Sequence, residues 1–326
     1  MRCIFSHNTD PALNLAIEEV LLGTAREPVF RVWRNRPVVI IGRHQNPYSQ
    51  VDLTFVRQAR LPVIRRISGG GAVYQDLGNV NFTFVRPAAG RVRIDYRTPL
   101  TPVRDFLATL GITAVFDGDN TLAVAGKKIS GNAQHISKGR VLHHGTLLFD
   151  ADLTALSHSL LAGVPERYRD KSVDSVRRTV ANIRPMLDGD LGTKRFMQAL
   201  VDYISRSVAG GFQDDLAPEA SRAAERLVRR KYATWEWNVG QSPDYAFVGR
   251  YRGKTAAATI RIQVAGGVIR QLDVTGDGWP AATREALARR LTGRRHRPET
   301  LAPVLAAVFG AGEALAPDDP RLQAFF

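Results

Sequence analysis

Three consecutive glycines, Gly69, Gly70 and Gly71, stand inside "VIRRISGGGAVYQDLGNVNFTFV" (63–85), with strand-like apolar alternation on both sides. Glycine loses the most backbone freedom on folding and packs nothing, so a block of three constrains the fold strongly. The chain must turn there with positive φ, or bring its backbone close to something that a Cβ would hold away. A hairpin between "PVIRRI" (62–67) and "AVYQD" (72–76) is one solution, and a loop around a phosphate or carboxylate is the other. Neither standard phosphate loop fits. No G-x-x-x-x-G-K-[ST] occurs, and the glycines lead into a strand pattern rather than a helix.

The neighbouring segments are short β-branched runs between turn residues, which is the signature of sheet. They include "VFRVW" (29–33), "VVIIG" (38–42), "VNFTFV" (80–85), "TAVF" (113–116), "LAVAG" (122–126), "KKISGNAQ" (127–134) and "VLHHGTLLF" (141–149). A helix is predicted over 10–22, with Asp10 as cap, Pro11 at its first position and Leu13, Ile17, Val20 and Leu21 as its apolar face. Another is predicted around 102–110, stopping at Gly111. From Asp152 to Trp237 the pattern is mostly helical, including 193–211 with Thr193 as cap and a Gly-Gly stop. Then "AAATIRIQVAGGVIRQLDVTG" (256–276) reads as two strands about a Gly-Gly turn, followed by two helical patterns. A length of 326 residues suits two domains. The expected fold is α+β: a catalytic domain over 1–240 with a mixed β-sheet flanked by helices, and a small α+β accessory domain over 244–326.

Composition narrows the functions. The only cysteine is Cys3, which excludes an internal disulfide, a thiolate zinc site and an iron–sulfur cluster, and fits a reducing cytoplasm. No apolar run approaches the roughly 18–20 residues of a membrane span. The opening "MRCIFSHNTDPAL" lacks the apolar core of a signal peptide, so a cytoplasmic location and no membrane partner are expected. The net charge of +14 admits either nucleic acid or an acidic protein as partner. The basic residues are scattered and no helix-turn-helix, zinc-finger or aromatic RNA-binding pattern accompanies them. No nucleic-acid partner is therefore expected, and a basic nucleic-acid-binding protein stands as the distant alternative.

The flanks of the glycines favour a ligand. Arg65 and Arg66 occupy adjacent strand positions and face opposite ways, so one of them shares a side with Ser68. An arginine, a hydroxyl and a glycine backbone on one surface suit a phosphate or carboxylate. In "DGDNTLAVAGKKISGNAQ", Lys128 and Ser130 are two apart on a predicted strand and share a face, while Lys127 faces away. His143 and His144, as adjacent strand residues, point to opposite faces and cannot easily chelate one ion, so no protein-held metal is expected.

Taken in order, "DPALNLAIEE" (10–19), "GRHQNP" (42–47), "RRISGGGAVYQDLGNVNFTF" (65–84), "KKISGNAQ" (127–134), "HHGTLLFD" (143–150), "SVRRTVANI" (175–183) and "WEWNVGQ" (235–241) resemble the lipoate–protein ligase A family of the biotin/lipoate ligase superfamily. The resemblance implies a class II synthetase/biotin ligase-like fold. It implies activation of lipoate with ATP and Mg²⁺ to lipoyl-AMP, then transfer to a lysine of apo lipoyl domains in E2 subunits of 2-oxoacid dehydrogenases or the glycine-cleavage H protein. Lys128 then matches the central lysine, a fixed cation near acyl carbonyl and phosphate. Arg66, Gly71, Ala72, Val73, Tyr74, Asn79, Asn120 and Ser130 become adenylate residues, and Trp33, Ser68, Gly70 and His144 border lipoate together with Lys128. A core tryptophan, a core histidine and turn-stabilising asparagines remain the plain readings of Trp33, His144, Asn79 and Asn120.

Two positions depart from the family pattern: Gln75 stands where a histidine is usual, and Thr121 where an aspartate is usual. A transferase working through an acyl-cysteine would need a placed thiolate, and Cys3 lies outside every motif. A lipoyltransferase that accepts preformed lipoyl-AMP would share most of these motifs and is the nearer alternative.

Overall fold

The computed structural model describes the chain apart from residues 89–93, 162–164, 177 and 254–256. Arg177 of "SVRRTVANI" and Ala256 of the first C-terminal strand pattern thus lie outside the described residues. In chain order the strands are β1 (Arg2–Phe5), β2 (Val29–Trp33), β3 (Val38–Ile41), β4 (Val63–Arg65), β5 (Val73–Gln75), β6 (Asn79–Pro87), β7 (Val115–Phe116), β8 (Thr121–Val124), β9 (Lys127–Ser137), β10 (Arg140–Leu148), β11 (Tyr168–Asp170), β12 (Phe212–Gln213), β13 (Tyr245–Arg252), β14 (Ala257–Ala265) and β15 (Val268–Thr275). The helices are α1 (Pro11–Thr24), α2 (Pro47–Gln50), α3 (Leu53–Gln58), α4 (Arg97–Thr109), α5 (Leu153–Ser159), α6 (Thr193–Ser207), α7 (Pro218–Leu227), α8 (Ala281–Leu291), α9 (Pro298–Phe309) and α10 (Pro320–Gln323).

One compact unit comprises Met1–Arg43, Val51–Ala162 and Ser175–Thr234. Its main sheet runs β12-β1-β2-β6-β10-β9-β8-β7, parallel at the β12-β1-β2 end and antiparallel from there on, which is the mixed sheet expected. Alternation along β6 and β10 sorts the faces. Phe82, Phe84 and His143 meet ring to ring on one face, in a core that takes in Phe106 of α4 and Phe196 and Leu200 of α6. Thr83 and His144 project to the other face and bond to α1.

Helix α1 is capped by Asp10, whose side chain accepts from Leu13 N at 2.9 Å, and Pro11 occupies its first turn. Its buried face differs from the apolar stripe of the sequence: Leu13 and Val20 are half-buried, whereas Asn14 and Glu18 are buried beside Ile17 and Leu21. Two polar residues one turn apart go inward because each finds hydrogen-bond partners there. Helix α6 begins at Thr193 with Gly192 at the cap position and no side-chain cap bond, so Thr193 is its first residue and not its cap. The described residues between 160 and 192 are mostly irregular rather than helical. Part of this stretch lies along β9, with Lys128 N donating to Thr179 O at 2.8 Å and Ala181 N to Lys128 O at 3.0 Å.

The glycine block is not a hairpin turn. β4 and β5 do not pair with each other; they flank β3, β4 in parallel and β5 antiparallel. The chain between them crosses the end of β3.

The second unit comprises His44–Gln50, Gly163–Asp174 and Trp235–Phe326. Its antiparallel sheet β11-β13-β14-β15 carries α8, on which α9 packs, and β14 and β15 are joined through Gly266 and Gly267, both at positive φ. A single cut near residue 240 misses its two earlier segments. They belong to it because β11 pairs with β13 and because Tyr48 donates to His296 O at 2.7 Å.

Candidate functional site

The two arginines before the glycines do face opposite ways. Arg65 Nη1 donates to Gly42 O and Arg43 O at 3.0 and 3.1 Å. Arg66 takes the Ser68 side. Its Nε donates to Ser68 Oγ at 3.0 Å, its Nη2 to Gly69 O at 2.6 Å and Gly71 O at 2.8 Å, and its Nη1 to Ile40 O at 3.4 Å. The glycine loop thus wraps a buried guanidinium, whose pKa burial pushes down to about 10 against the raising effect of Glu18. Gly70 has φ of +86°, which a Cβ disfavours. A Cβ on Gly42 would sit 1.9 Å from Gly70 O, so the loop needs a glycine below it as well.

Beyond the loop opens a cavity of about 430 Å³, a usual size for a small-molecule site. Ala72, Val73 and Tyr74 of the loop and β5, Asn79 of β6, and Lys128, Ser130 and Gly131 of β9 line it. Leu153, Leu156 and Leu160 supply an apolar wall, and Ser175, Arg178 and Thr179 another polar one. Ala72 N donates to Ser175 Oγ at 3.0 Å, so that N–H points where an acceptor can sit. Asn79 Nδ2 donates to Asn81 Oδ1 at 2.9 Å, while the buried Asn79 Oδ1 has no partner among the described residues. Lys128 is held below the ordinary lysine range by burial first, then by Arg178 and Arg66. The arrangement gathers cations, a backbone donor held by a serine hydroxyl and an oxygen acceptor around one space, which suits an anionic ligand that also has hydroxyl groups.

A second set of residues lies buried behind the loop. Ser68 Oγ is 2.6 Å from His144 Nε2, and His144 Nδ1 is 3.0 Å from both oxygens of Glu18. Thr83 Oγ1 donates to Glu18 Oε1 at 2.5 Å and accepts from Trp33 Nε1 at 2.9 Å. Arg31, fully buried, bonds to Asn14 and Ser6, and burial pushes its pKa down to about 9 although Glu18 acts to raise it.

Of the residues singled out in the sequence, Ala72, Val73, Tyr74, Asn79, Lys128 and Ser130 come together at the cavity. Trp33, Arg66, Ser68 and His144 come together in the buried chain, with Gly70 and Gly71 against Arg66. Asn120 joins neither: it is exposed, and its Nδ2 donates to Asn132 O at 2.9 Å across the β8–β9 pair. His143 turns away from His144, to Gln134 and Asn132, as alternation requires. Among the described residues no group of three His, Cys, Asp or Glu could hold a metal, and no helix is long and apolar enough to cross a membrane. Cys3 is buried in the core and burial raises its thiol pKa, which makes it a poor nucleophile. Sequence reasoning missed Gly42, Ser175 and Glu18. The signal for Glu18 was its position four residues after Asn14, on the buried side of α1.

The profile of the lipoyl protein ligase A/B catalytic domain matches residues 10–205. Lipoate–protein ligase 1 of Staphylococcus aureus is 34% identical over 302 residues, covering 91% of this chain and 90% of that protein. A bipartite lipoate protein ligase of Thermoplasma acidophilum, described with its E2 lipoyl domain, is 29% identical with a TM-score of 0.63, over 74% of this chain and 96% of that one. A lipoate–protein ligase A bound with ATP is 29% identical with a TM-score of 0.62, over 74% and 98% of the two chains.

Proposed function

The chain belongs to the lipoyl protein ligase A/B family, and from that premise we propose that the cavity beside the glycine loop is where lipoate and ATP form lipoyl-AMP, with Lys128 as the central charge. The protein is an ATP-dependent lipoate–protein ligase. In the first half reaction a carboxylate oxygen of lipoate forms a bond to the α-phosphorus as the bond to the β-phosphate oxygen breaks and pyrophosphate leaves. Two anions meet there, so fixed cations and backbone donors must offset the charge that builds up. Lys128 and Arg178 on the wall supply the cations, and the Ala72 N–H supplies a donor once Ser175 Oγ gives way to a phosphate oxygen. Asn79, on the cavity wall, would accept from a ribose hydroxyl or from a water of the Mg²⁺ that the nucleotide brings, if its buried Oδ1 turned to the ligand. The leucine wall takes the acyl chain.

In the second half reaction the neutral amine nitrogen of a carrier lysine attacks the acyl carbonyl, the bond from the carbonyl carbon to the phosphate oxygen breaks so that AMP leaves, and the proton lost by the nitrogen passes to the departing phosphate or to water. Lys128 is suited to hold the leaving phosphate as a fixed cation. Arg66 acts at one remove: its donors are engaged by the loop, so it shapes the backbone that approaches the adenylate. Apo lipoyl domains of E2 subunits and H protein are the proposed carriers, in the cytoplasm. The relative described together with its E2 lipoyl domain supports the first of these.

The observation that carries this reading is the meeting of Lys128 and the post-glycine backbone, Ala72–Tyr74, at one cavity. Incubation with ATP, Mg²⁺, lipoate and an apo lipoyl domain, followed by intact mass, tests it. A lipoyl adduct that needs ATP is expected. An adduct formed only from preformed lipoyl-AMP would replace this reading by the transferase one.

A further inference from the structure

"DPALNLAIEE" contains two adjacent glutamates with different fates. Glu19 accepts from Lys231 Nζ and Tyr232 Oη, both at 2.6 Å, and so ties α1 to the turn after α7. Glu18 is buried, yet its carboxylate has no lysine or arginine within ion-pair distance among the described residues; its partners are His144 and Thr83. We propose that Glu18 is a positioning residue for the acyl-adenylate site, fixing His144 as the Nδ1–H tautomer and through it the Ser68 hydroxyl and the Arg66 loop.

With Glu18 ionised and the His144 ring neutral, the distances fit one set of protons. An ionised carboxylate only accepts, so the Nδ1 that lies 3.0 Å from both Glu18 oxygens carries the hydrogen. In the neutral ring Nε2 is then an acceptor, and the Ser68 hydroxyl, 2.6 Å away, must give it its proton. This leaves the lone pairs of Ser68 Oγ to receive Arg66 Nε–H at 3.0 Å. Arg66 in turn holds Gly69 O and Gly71 O, and the peptide after Gly71 presents its N–H, that of Ala72, at the cavity. On the other side Thr83 Oγ1 gives its proton to Glu18 and so accepts from Trp33 Nε1. With a glutamine at 18, the ring can take the Nε2–H tautomer. Nε2 and Arg66 Nε then both donate to Ser68 Oγ, the serine proton has no set direction, and Arg66 shares the acceptor that orients it.

The inference rests on the lipoyl-AMP reading above only for its kinetic consequence; the tautomer is a property of the protein without substrate. Imidazole nitrogen NMR on ¹⁵N-histidine-labelled protein above pH 8, with His144 assigned by its loss in His144→Gln, reads it directly. The Nδ1–H form is expected in the parent protein, and a shift toward Nε2–H in Glu18→Gln. Lipoyl-AMP formation in Glu18→Gln should fall at least tenfold in kcat while Tm stays within a few degrees. Ser68→Ala cuts the chain beyond the Glu18–His144 pair, so it should keep the tautomer and lose rate to a similar extent; it serves alone if Glu18→Gln does not fold. An Nε2–H ring in the parent protein overturns the proposal, as does a parental rate in Glu18→Gln or Ser68→Ala. A parent protein that makes no lipoyl-AMP but shows the Nδ1–H ring would instead remove the functional reading and leave the tautomer assignment standing.

Discussion

Gly131→Ala tests the role of Lys128 without touching the lysine. A Cβ built on Gly131 lies 2.8 Å from Lys128 Nζ and 2.9 Å from Cε. Ordinary contact between such atoms is about 3.5–4.0 Å, so the ammonium must move by about 0.7 Å or more. The movable partner is the end of a flexible side chain, and the Gly131 backbone does not have positive φ, so the fold has no reason to resist alanine. At a compatible position Gly→Ala stabilises by about 0.4–1 kcal/mol through the unfolded chain. Misplacing a catalytic group by about 1 Å can cost about 10²-fold. Lipoyl-AMP formation, followed by pyrophosphate release, should therefore fall between about 10- and 100-fold while Tm is unchanged or higher. Adding Gly131→Ala to Lys128→Ala should cost nothing further, because the methyl group acts only through the ammonium. A parental rate in Gly131→Ala, or a drop in Tm that parallels the loss of rate, would refute the reasoning.

Lys128→Ala should lose about 10²–10³ in lipoyl-AMP formation, the usual cost of one preorganised charge contact, while Lys127→Ala on the exposed side is mild; equal losses would undo the assignment. Burial and nearby cations lower Lys128 below the ordinary 10.5, and only its protonated form carries charge, so the rate should decline as pH rises through that lowered value, with no decline before pH 10.5 counting against it. Along the loop, Gly70→Val at φ of +86° and Gly71→Val, whose Cβ would lie 3.1 Å from Ser175, should block lipoyl-AMP formation, whereas Gly69→Ala, with nothing within 4 Å, should pass; equal activity across the three would end the loop argument. Because the net charge is +14, kcat/KM for an acidic carrier domain should fall as salt shortens the Debye length from about 8 Å, with lipoyl-AMP formation changing less; salt-insensitive transfer would leave the charge unexplained.

The strand runs of the first unit were legible because period-2 alternation and turn residues act locally. The run at 80–85 became β6 and the run at 141–149 became β10, at nearly the expected bounds. What stayed hidden depends on pairing between distant segments. Nothing local tells β4 to lie beside β3 rather than fold back onto β5, since the parallel pair is closed by a crossover through α3. The three-residue β11 carries no periodic signal of its own, and its pairing with β13 draws it into the C-terminal unit. Helical expectation over 160–192 failed for a related reason. Residues 179–181 meet the backbone of Lys128 instead of each other, and propensity yields to that tertiary bonding.

The site divides along the same line. Lys128, Ser130 and the backbone after Gly71 were readable because strand alternation and glycine spacing are local facts, and they line one cavity. Glu18 was not, because a glutamate on a helix is by default a solvated charge. Its burial is hard to explain as a contribution to stability. Buried ionic groups cost several kcal/mol each to desolvate, and well-packed apolar replacements are often neutral or stabilising. Here the apolar alternative was available on the same helix turn, beside Ile17 and Leu21, and the structure instead places a carboxylate there, whose charge helps to raise the pKa values of the buried Arg31 and Arg66. A network of this kind is favourable only when every member is satisfied. Trp33, Thr83, Glu18, His144, Ser68 and Arg66 form such a chain, each donating to the next or accepting from it. What such a chain provides, and an apolar core cannot, is direction: one orientation of each ring and hydroxyl, ending in a guanidinium that holds Gly69 O and Gly71 O just ahead of the backbone that shares a cavity with Lys128.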